Sequence, residues 1–138
     1  MDGRRILAVV VAAGVYFVIG ALWYGQFSAA WLAGIGKTMA ELQAANPGNL
    51  PYAVAFLAVF LECAVLALLL ARSSSAGWLE GAKLGAVLAL ALVGAQLALN
   101  YAFEARGVTL WLVNTGYALV GLTVAGAIIG AFGSSRAG

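Results

Sequence analysis

Asn100-Tyr101-Ala102-Phe103-Glu104-Ala105-Arg106-Gly107-Val108-Thr109-Leu110-Trp111-Leu112-Val113-Asn114-Thr115-Gly116-Tyr117 is the stretch whose reading decides the fold. The chain around it is 64% hydrophobic and only 9% charged. Yet Asn100, Tyr101, Glu104, Arg106, Asn114 and Tyr117 crowd together here. Long apolar runs flank the stretch on both sides. It therefore reads as the tight turn between two membrane-crossing helices, with amides carried about a turn into the bilayer on either side.

Working outward, hydrocarbon about 30 Å thick takes roughly 20 apolar residues per helix. Unpaired backbone amides cannot remain in it, so a helix is the element that can span. The 138 residues divide into spans at about 5–25, 51–72, 78–103 and 110–132. This is an all-α fold, one domain, a four-helix transmembrane bundle. Pro51 suits a helix first turn, where no donor is needed. Thr109 is placed to cap the fourth helix, and 133–138 reads as a frayed tail. Arg72-Ser73-Ser74-Ser75-Ala76-Gly77 reads as a short polar turn.

The long connection, 28–46, carries Trp31, Ile35, Met39 and Leu42 at helical spacing, interrupted by Gly34 and Gly36. Thr38 and Glu41 stand at capping-box spacing, and Asn46-Pro47-Gly48 stops the run. Two readings fit: a short amphipathic helix on the membrane surface, or a packed segment covering the bundle mouth. A secretory signal is disfavoured, because the apolar run behind Arg4 and Arg5 exceeds a signal core. Trp23, Tyr24 and Phe27 suit a membrane–water boundary instead.

Arg4, Arg5, Arg72, Lys83 and Arg136 fall on one side, and only Lys37 and Arg106 on the other. Loops rich in Lys and Arg stay cytoplasmic, so both termini are expected there. A net charge of +2 with no basic block argues against nucleic acid. With no His and one cysteine, Cys63, no disulfide forms within the chain, and Cys/His metal sites and His-based catalysis are excluded. No phosphate loop, carboxylate pair or nucleophile–base arrangement is present. No enzyme and no cofactor is expected.

Three constellations could carry function. Glu62 lies midway along the second span, where an ionisable group costs on the order of 3 kcal/mol, with no Lys or Arg at its depth. Tyr16 falls near its level and Tyr117 about a turn further out. Either the acid is neutral and donates to a nearby oxygen, or water or a cation reaches it and it stays charged. The second constellation is an outer polar cluster: Gln96, Asn100, Glu104, Arg106 and Asn114. It reads as a vestibule leading to Glu62 or as a clasp of amides bonded between helices, with Glu104–Arg106 an exposed ion pair. The third is small-residue packing, with Gly77, Gly81 and Gly85 on the third span and Gly126 and Gly130 at matching depth on the fourth. Gly81, Gly85, Ala89, Leu92, Gln96 and Asn100 follow three- and four-residue steps, so they are expected to share one face. A short echo, Ala21-Leu22-Trp23-Tyr24 against Ala98-Leu99-Asn100-Tyr101, does not establish a repeat.

The chain resembles domain-of-unknown-function family 1761. The resemblance rests on Gly20-Ala21-Leu22-Trp23-Tyr24, on Trp31, on Asn100 through Arg106, on Leu110 through Tyr117 and on Gly126 through Gly130. It implies a four-helix bacterial membrane protein and supplies no activity or substrate. Members often carry a histidine where this chain has Ala118, and Ser-Pro where it has Gly25-Gln26.

The function these features point to is a homo-oligomeric permeation or transport protein of the bacterial inner membrane centred on Glu62. Its ligand would be a proton, a cation or a small molecule, and the lipid bilayer its surroundings. The alternative is a non-catalytic scaffold docking through its glycine faces. A third reading is a lipid or small apolar ligand bound between helices, with the surface helix as lid.

Overall fold

The computed structural model describes residues 2–74 and 77–134. Arg136 and the rest of 135–138, like residues 75–76 of the serine turn, lie outside the described residues. Among those described, every regular element is helical.

Helix α1, Gly3–Gln26, starts where the Asp2 side chain accepts from the Arg5 backbone N–H at 3.0 Å. Helix α2, Ser28–Ile35, follows almost at once and stops at Gly36, whose φ of 68° is left-handed. A residue without Cβ adopts that conformation without strain. Helix α3, Met39–Ala45, opens with the Thr38–Glu41 capping box, both halves of which form. Helix α4 is Leu50–Arg72, with Pro51 in its first turn. The third long helix is compound: α5, Trp78–Leu88; a π-helical turn, Ala89–Gly94; and α6, Ala95–Phe103. Helix α7, Val108–Ser134, closes the chain. The spans Gly3–Gln26, Leu50–Arg72, Trp78–Phe103 and Val108–Gly133 are each long and apolar enough to cross a membrane.

The connection between α1 and α4 is two helices rather than one. Gly36 breaks the Trp31–Leu42 periodicity, so α2 folds across the start of α7 while α3 stands out in the open. At that contact the α carbon of Gly34 lies against Leu110; a methyl added there would come within 2.8 Å of the Leu110 Cβ. Helix α7 begins two residues before the expected start, which puts Thr109 in its first turn rather than at the cap. It also continues past the expected end at 132.

α7 is the hub, touching each of the other spans. Against α1 it sets Ala118, Leu122, Ala125 and Ile129 opposite Ala8, Val9, Ala12 and Ala13. α4 adds Val59, Cys63, Leu66 and Ala67. Lipid tails are as apolar as leucine, so helices in a bilayer associate through close packing and internal hydrogen bonds. The small residues serve the first of these.

They serve it most fully between α5 and α7. The α carbon of Gly81 lies on the backbone carbonyl of Gly126, Gly85 lies on that of Leu122, and Gly130 on that of Gly77. The glycine surfaces that composition offered to an outside partner are therefore consumed within the chain. Gly81, Gly85, Gly126 and Gly130, read as a possible docking face, pack against one another's helices within the chain.

The Thr38 N–H donates to Glu41 Oε2 at 2.7 Å and holds the Glu41 carboxyl below the usual carboxylate range. A lowered folded-state value means that the helix favours the ionised form. Its contribution to α3 is full above the ordinary glutamate range and is lost as pH falls through the folded value. Acidification through that window is expected to fray α3 alone, read as lost amide protection over residues 39–45. Thr38→Ala should cost α3 about 1 kcal/mol at neutral pH, which is about a five-fold loss of protection.

Substitution at the α5–α7 contact gives a second expectation. A methyl on Gly81 would sit 2.7 Å from the carbonyl carbon of Gly126, an atom that cannot rotate away. Gly81→Ala should therefore destabilise the bundle by about 1–3 kcal/mol. Gly14→Ala, where nothing lies within 4 Å, should be neutral or stabilise by up to about 1 kcal/mol. Reversible unfolding in mixed detergent micelles measures both.

Candidate functional site

Polar and aromatic side chains of α1, α4, α6 and α7 meet along one seam. On α1, Tyr16, Gly20, Trp23 and Tyr24 recur at helical spacing and face α7. The rings are received by glycines. A methyl on Gly20 would lie 2.9 Å from the Tyr117 hydroxyl, and one on Gly116 would lie 2.7 Å from Cζ2 of Trp23. Gly121 in turn lies beneath the ring of Tyr16. Each large ring thus crosses a helix where that helix has no side chain.

At the inner end of the seam stands Glu62, midway along α4. It interacts with Tyr16, yet its Oε2 is buried and makes no hydrogen bond. Neither of the two ion pairs among the described residues, Glu80–Lys83 and Glu104–Arg106, involves it. A buried oxygen without a partner loses its hydration uncompensated, at a cost of about 1–3 kcal/mol or more.

From Tyr16 the seam climbs toward the α2 end. The Tyr16 and Tyr117 rings are 5.1 Å apart, and those of Tyr117 and Tyr24 are 5.3 Å apart. The Tyr117 hydroxyl points at the Tyr16 carbonyl over 3.5 Å, a long contact. Beyond it the bonds shorten. The Tyr24 hydroxyl donates to Asn114 Oδ1 at 2.7 Å, and Asn114 Nδ2 donates to the Tyr101 hydroxyl at 2.6 Å. Trp23 Nε1 donates to the Val113 carbonyl at 2.9 Å. Arg106, paired with Glu104, stands 5.9 Å from the centre of the Tyr101 ring. The seam is therefore packed rings in its inner half and hydrogen bonds in its outer half.

The structure brings together Glu62, Tyr16, Tyr117 and Asn114, and it separates Gln96 and Asn100 from them. Those two amides are exposed and bond to one another, Gln96 Nε2 to Asn100 Oδ1 at 3.1 Å. They form neither the vestibule nor the clasp expected of them. The reason is the π turn. Ala95 N–H bonds to the Leu90 carbonyl, five residues back, so one extra residue enters the helix and rotates everything after it. The inward face runs Gly81, Gly85, Ala89 and then Gly94, Leu97 and Tyr101. Leu92, Gln96 and Asn100 are turned outward. Tyr101 takes the place beside Asn114 that uninterrupted α-helical spacing assigns to Asn100.

Trp111 and Thr115 hold that turn from α7. Trp111 Nε1 donates to the Gly94 carbonyl at 2.8 Å. Thr115 is buried against Gly94, with its hydroxyl bonded to nothing.

A family model covers residues 7–130, with the description "Protein of unknown function (DUF1761)". The chain belongs to this family. Comparison with curated proteins returns no match, and comparison with solved structures returns none either. Ala118, beside Tyr117, is buried in the core between α1 and α7.

Tyr24 and Tyr101 are the site residues that spacing alone did not single out. Their signal was the short echo at 21–24 and 98–101, whose fourth members both bond to Asn114. The glycines beneath the rings carried no pattern that separates them from ordinary packing glycines.

Asn114 is the junction, and its loss should be felt through both tyrosines. Asn114→Leu and Tyr24→Phe, singly and together, are expected to give a coupling energy of about 0.6–1.7 kcal/mol. Tyr101→Phe in place of Tyr24→Phe should give a similar value, whereas Asn100→Leu with Asn114→Leu should give about zero. Unfolding of the double-mutant cycles in bicelles measures all three.

Proposed function

We propose that this DUF1761 protein is a small, non-catalytic transport protein of the bacterial inner membrane, with Glu62 as the intramembrane group that takes up and gives back a proton. One observation carries the reading: a carboxyl oxygen buried mid-span with no hydrogen-bond partner. Ionisable groups inside a membrane bundle mark ion and proton pathways by default. A proton needs one carboxyl, whereas a dehydrated metal cation needs several oxygens. Among the described residues no three of His, Cys, Asp and Glu come together.

The seam of Tyr16, Tyr117, Tyr24, Asn114 and Tyr101 is the outer approach. Its phenol and amide groups can each donate and accept. Tyr117 is the narrow step, where the hydroxyl reaches only a distant carbonyl and Gly20 leaves room for the ring. Arg4, Arg5, Arg72 and Lys83 gather at the opposite end, which supports cytoplasmic termini and a seam opening away from the cytoplasm.

The lipid reading has one feature in its favour. Between α4 and α5 a groove of about 400 Å³ is lined by Leu69, Leu84 and Val87, with Glu80 and Lys83 at its rim. It opens at the basic end, so α2 and α3 cannot be its lid.

Proton flux into proteoliposomes under an imposed pH gradient tests the proposal. Wild type should exceed empty vesicles, and Glu62→Gln should lower the protein-dependent flux by about ten-fold or more. Glu80→Gln, at the exposed rim, should leave it unchanged. Flux equal in wild type and Glu62→Gln, or no flux above empty vesicles, overturns it.

A further inference from the structure

We infer that the outer half of the third span is an interface with a second copy of this chain, joined by a ring of four amides. The inference is independent of the transport reading, since none of its residues belongs to the seam. The surface contains Leu92, Gln96, Leu99, Asn100 and Phe103, every one of them exposed; Leu99 is 54% and Phe103 90% accessible.

Gln96 lies about two turns inside the end of α6 at Phe103, at a depth where lipid tails can bond to neither half of an amide. Its bond to Asn100 uses Gln96 Nε2 as donor and Asn100 Oδ1 as acceptor. That leaves Gln96 Oε1 to accept and Asn100 Nδ2 to donate. The surface therefore still presents both acceptors and donors, and the partner that answers it must present both at the same depth.

A second copy does so by symmetry. About a two-fold axis along the membrane normal, Asn100 Nδ2 of each copy donates to Gln96 Oε1 of the other, and the ring closes with every amide both giving and accepting. An interface on a two-fold axis uses the same patch on both subunits. Within the chain, Asn114, Tyr24 and Tyr101, at the same end, are bonded to one another. The π turn is what places the pair outside. An uninterrupted helix would have turned both amides toward α7.

The experiment uses the full chain in native membranes with Cys63→Ala as background. Leu99→Cys, beside the amides, should cross-link to a dimer with a short bis-maleimide, whereas Leu57→Cys on the lipid-facing side of α4 should not. In liposomes at graded protein density, the dimer of fluorophore-labelled protein should weaken about ten-fold on Gln96→Leu with Asn100→Leu. Both positions are exposed and leucine suits lipid, so the monomer fold is retained; unchanged unfolding in detergent confirms this. A chain that stays monomeric at every density, a dimer that cross-links through Leu57→Cys alone, or a dimer indifferent to the double substitution overturns the inference.

Discussion

The close approach of α5 and α7 is the constraint on which the rest of the structure depends. In hydrocarbon no water is expelled when two helices meet, so contact has to come from shape. Gly81, Gly85, Gly126 and Gly130 remove the side chains that would hold the backbones apart. That contact sets the depth and rotation of the third span against the fourth. Further along the same pair of helices a bulky and polar contact, Tyr101 with Asn114, must also be made. An uninterrupted α-helix that satisfies the glycines brings Asn100 to that place. The π turn at Ala89–Gly94 adds the residue that brings Tyr101 instead. Trp111, from the opposing helix, bonds to the carbonyl at its end.

This explains what could be read from the residues and what could not. Four runs of apolar residues, each about the thickness of a bilayer, leave little choice of architecture, and the spans agree to within a few residues. Glu62 and Tyr16 could be set at one depth by counting along two helices. Gln96 and Asn100 could not be placed, because a face extrapolated at three- and four-residue steps assumes an uninterrupted helix. Ala89-Leu90-Ala91-Leu92-Val93-Gly94 gives no local sign of the extra residue. What meets it lies across the interface, where Trp111 bonds to the Gly94 carbonyl and Thr115 packs on Gly94. The break at Gly36 is the contrary case. There the cause is local, a glycine where the chain needs a left-handed residue.

The aromatic seam follows a second logic. Tyrosine in a bilayer must lay down a large ring and also supply a partner for its hydroxyl. Gly20, Gly116 and Gly121 give the rings of Tyr117, Trp23 and Tyr16 flat backbone to lie on. The hydroxyls are then settled in order of depth. Toward the α2 end, Tyr24 takes the oxygen and Tyr101 the nitrogen of the Asn114 amide. Deeper, Tyr117 has only a distant carbonyl, and Tyr16 lies beside Glu62. Bonding is best satisfied near the boundary and least satisfied at the centre, although apolar surroundings make the need greatest there.

Glu62, with one oxygen unbonded, and Gln96, bonded only to Asn100, have opposite placements, and the placement separates their meanings. Glu62 faces inward, among Tyr16 and the buried Cys63. Its Oε2 is shut off from solvent and makes no hydrogen bond. Gln96 faces outward from the helix least embraced by its own bundle. Nothing small need enter there, and a surface as large as a helix can be laid against it. The glycines keep α5 against α7, and the π turn beyond them turns Gln96 away from that contact.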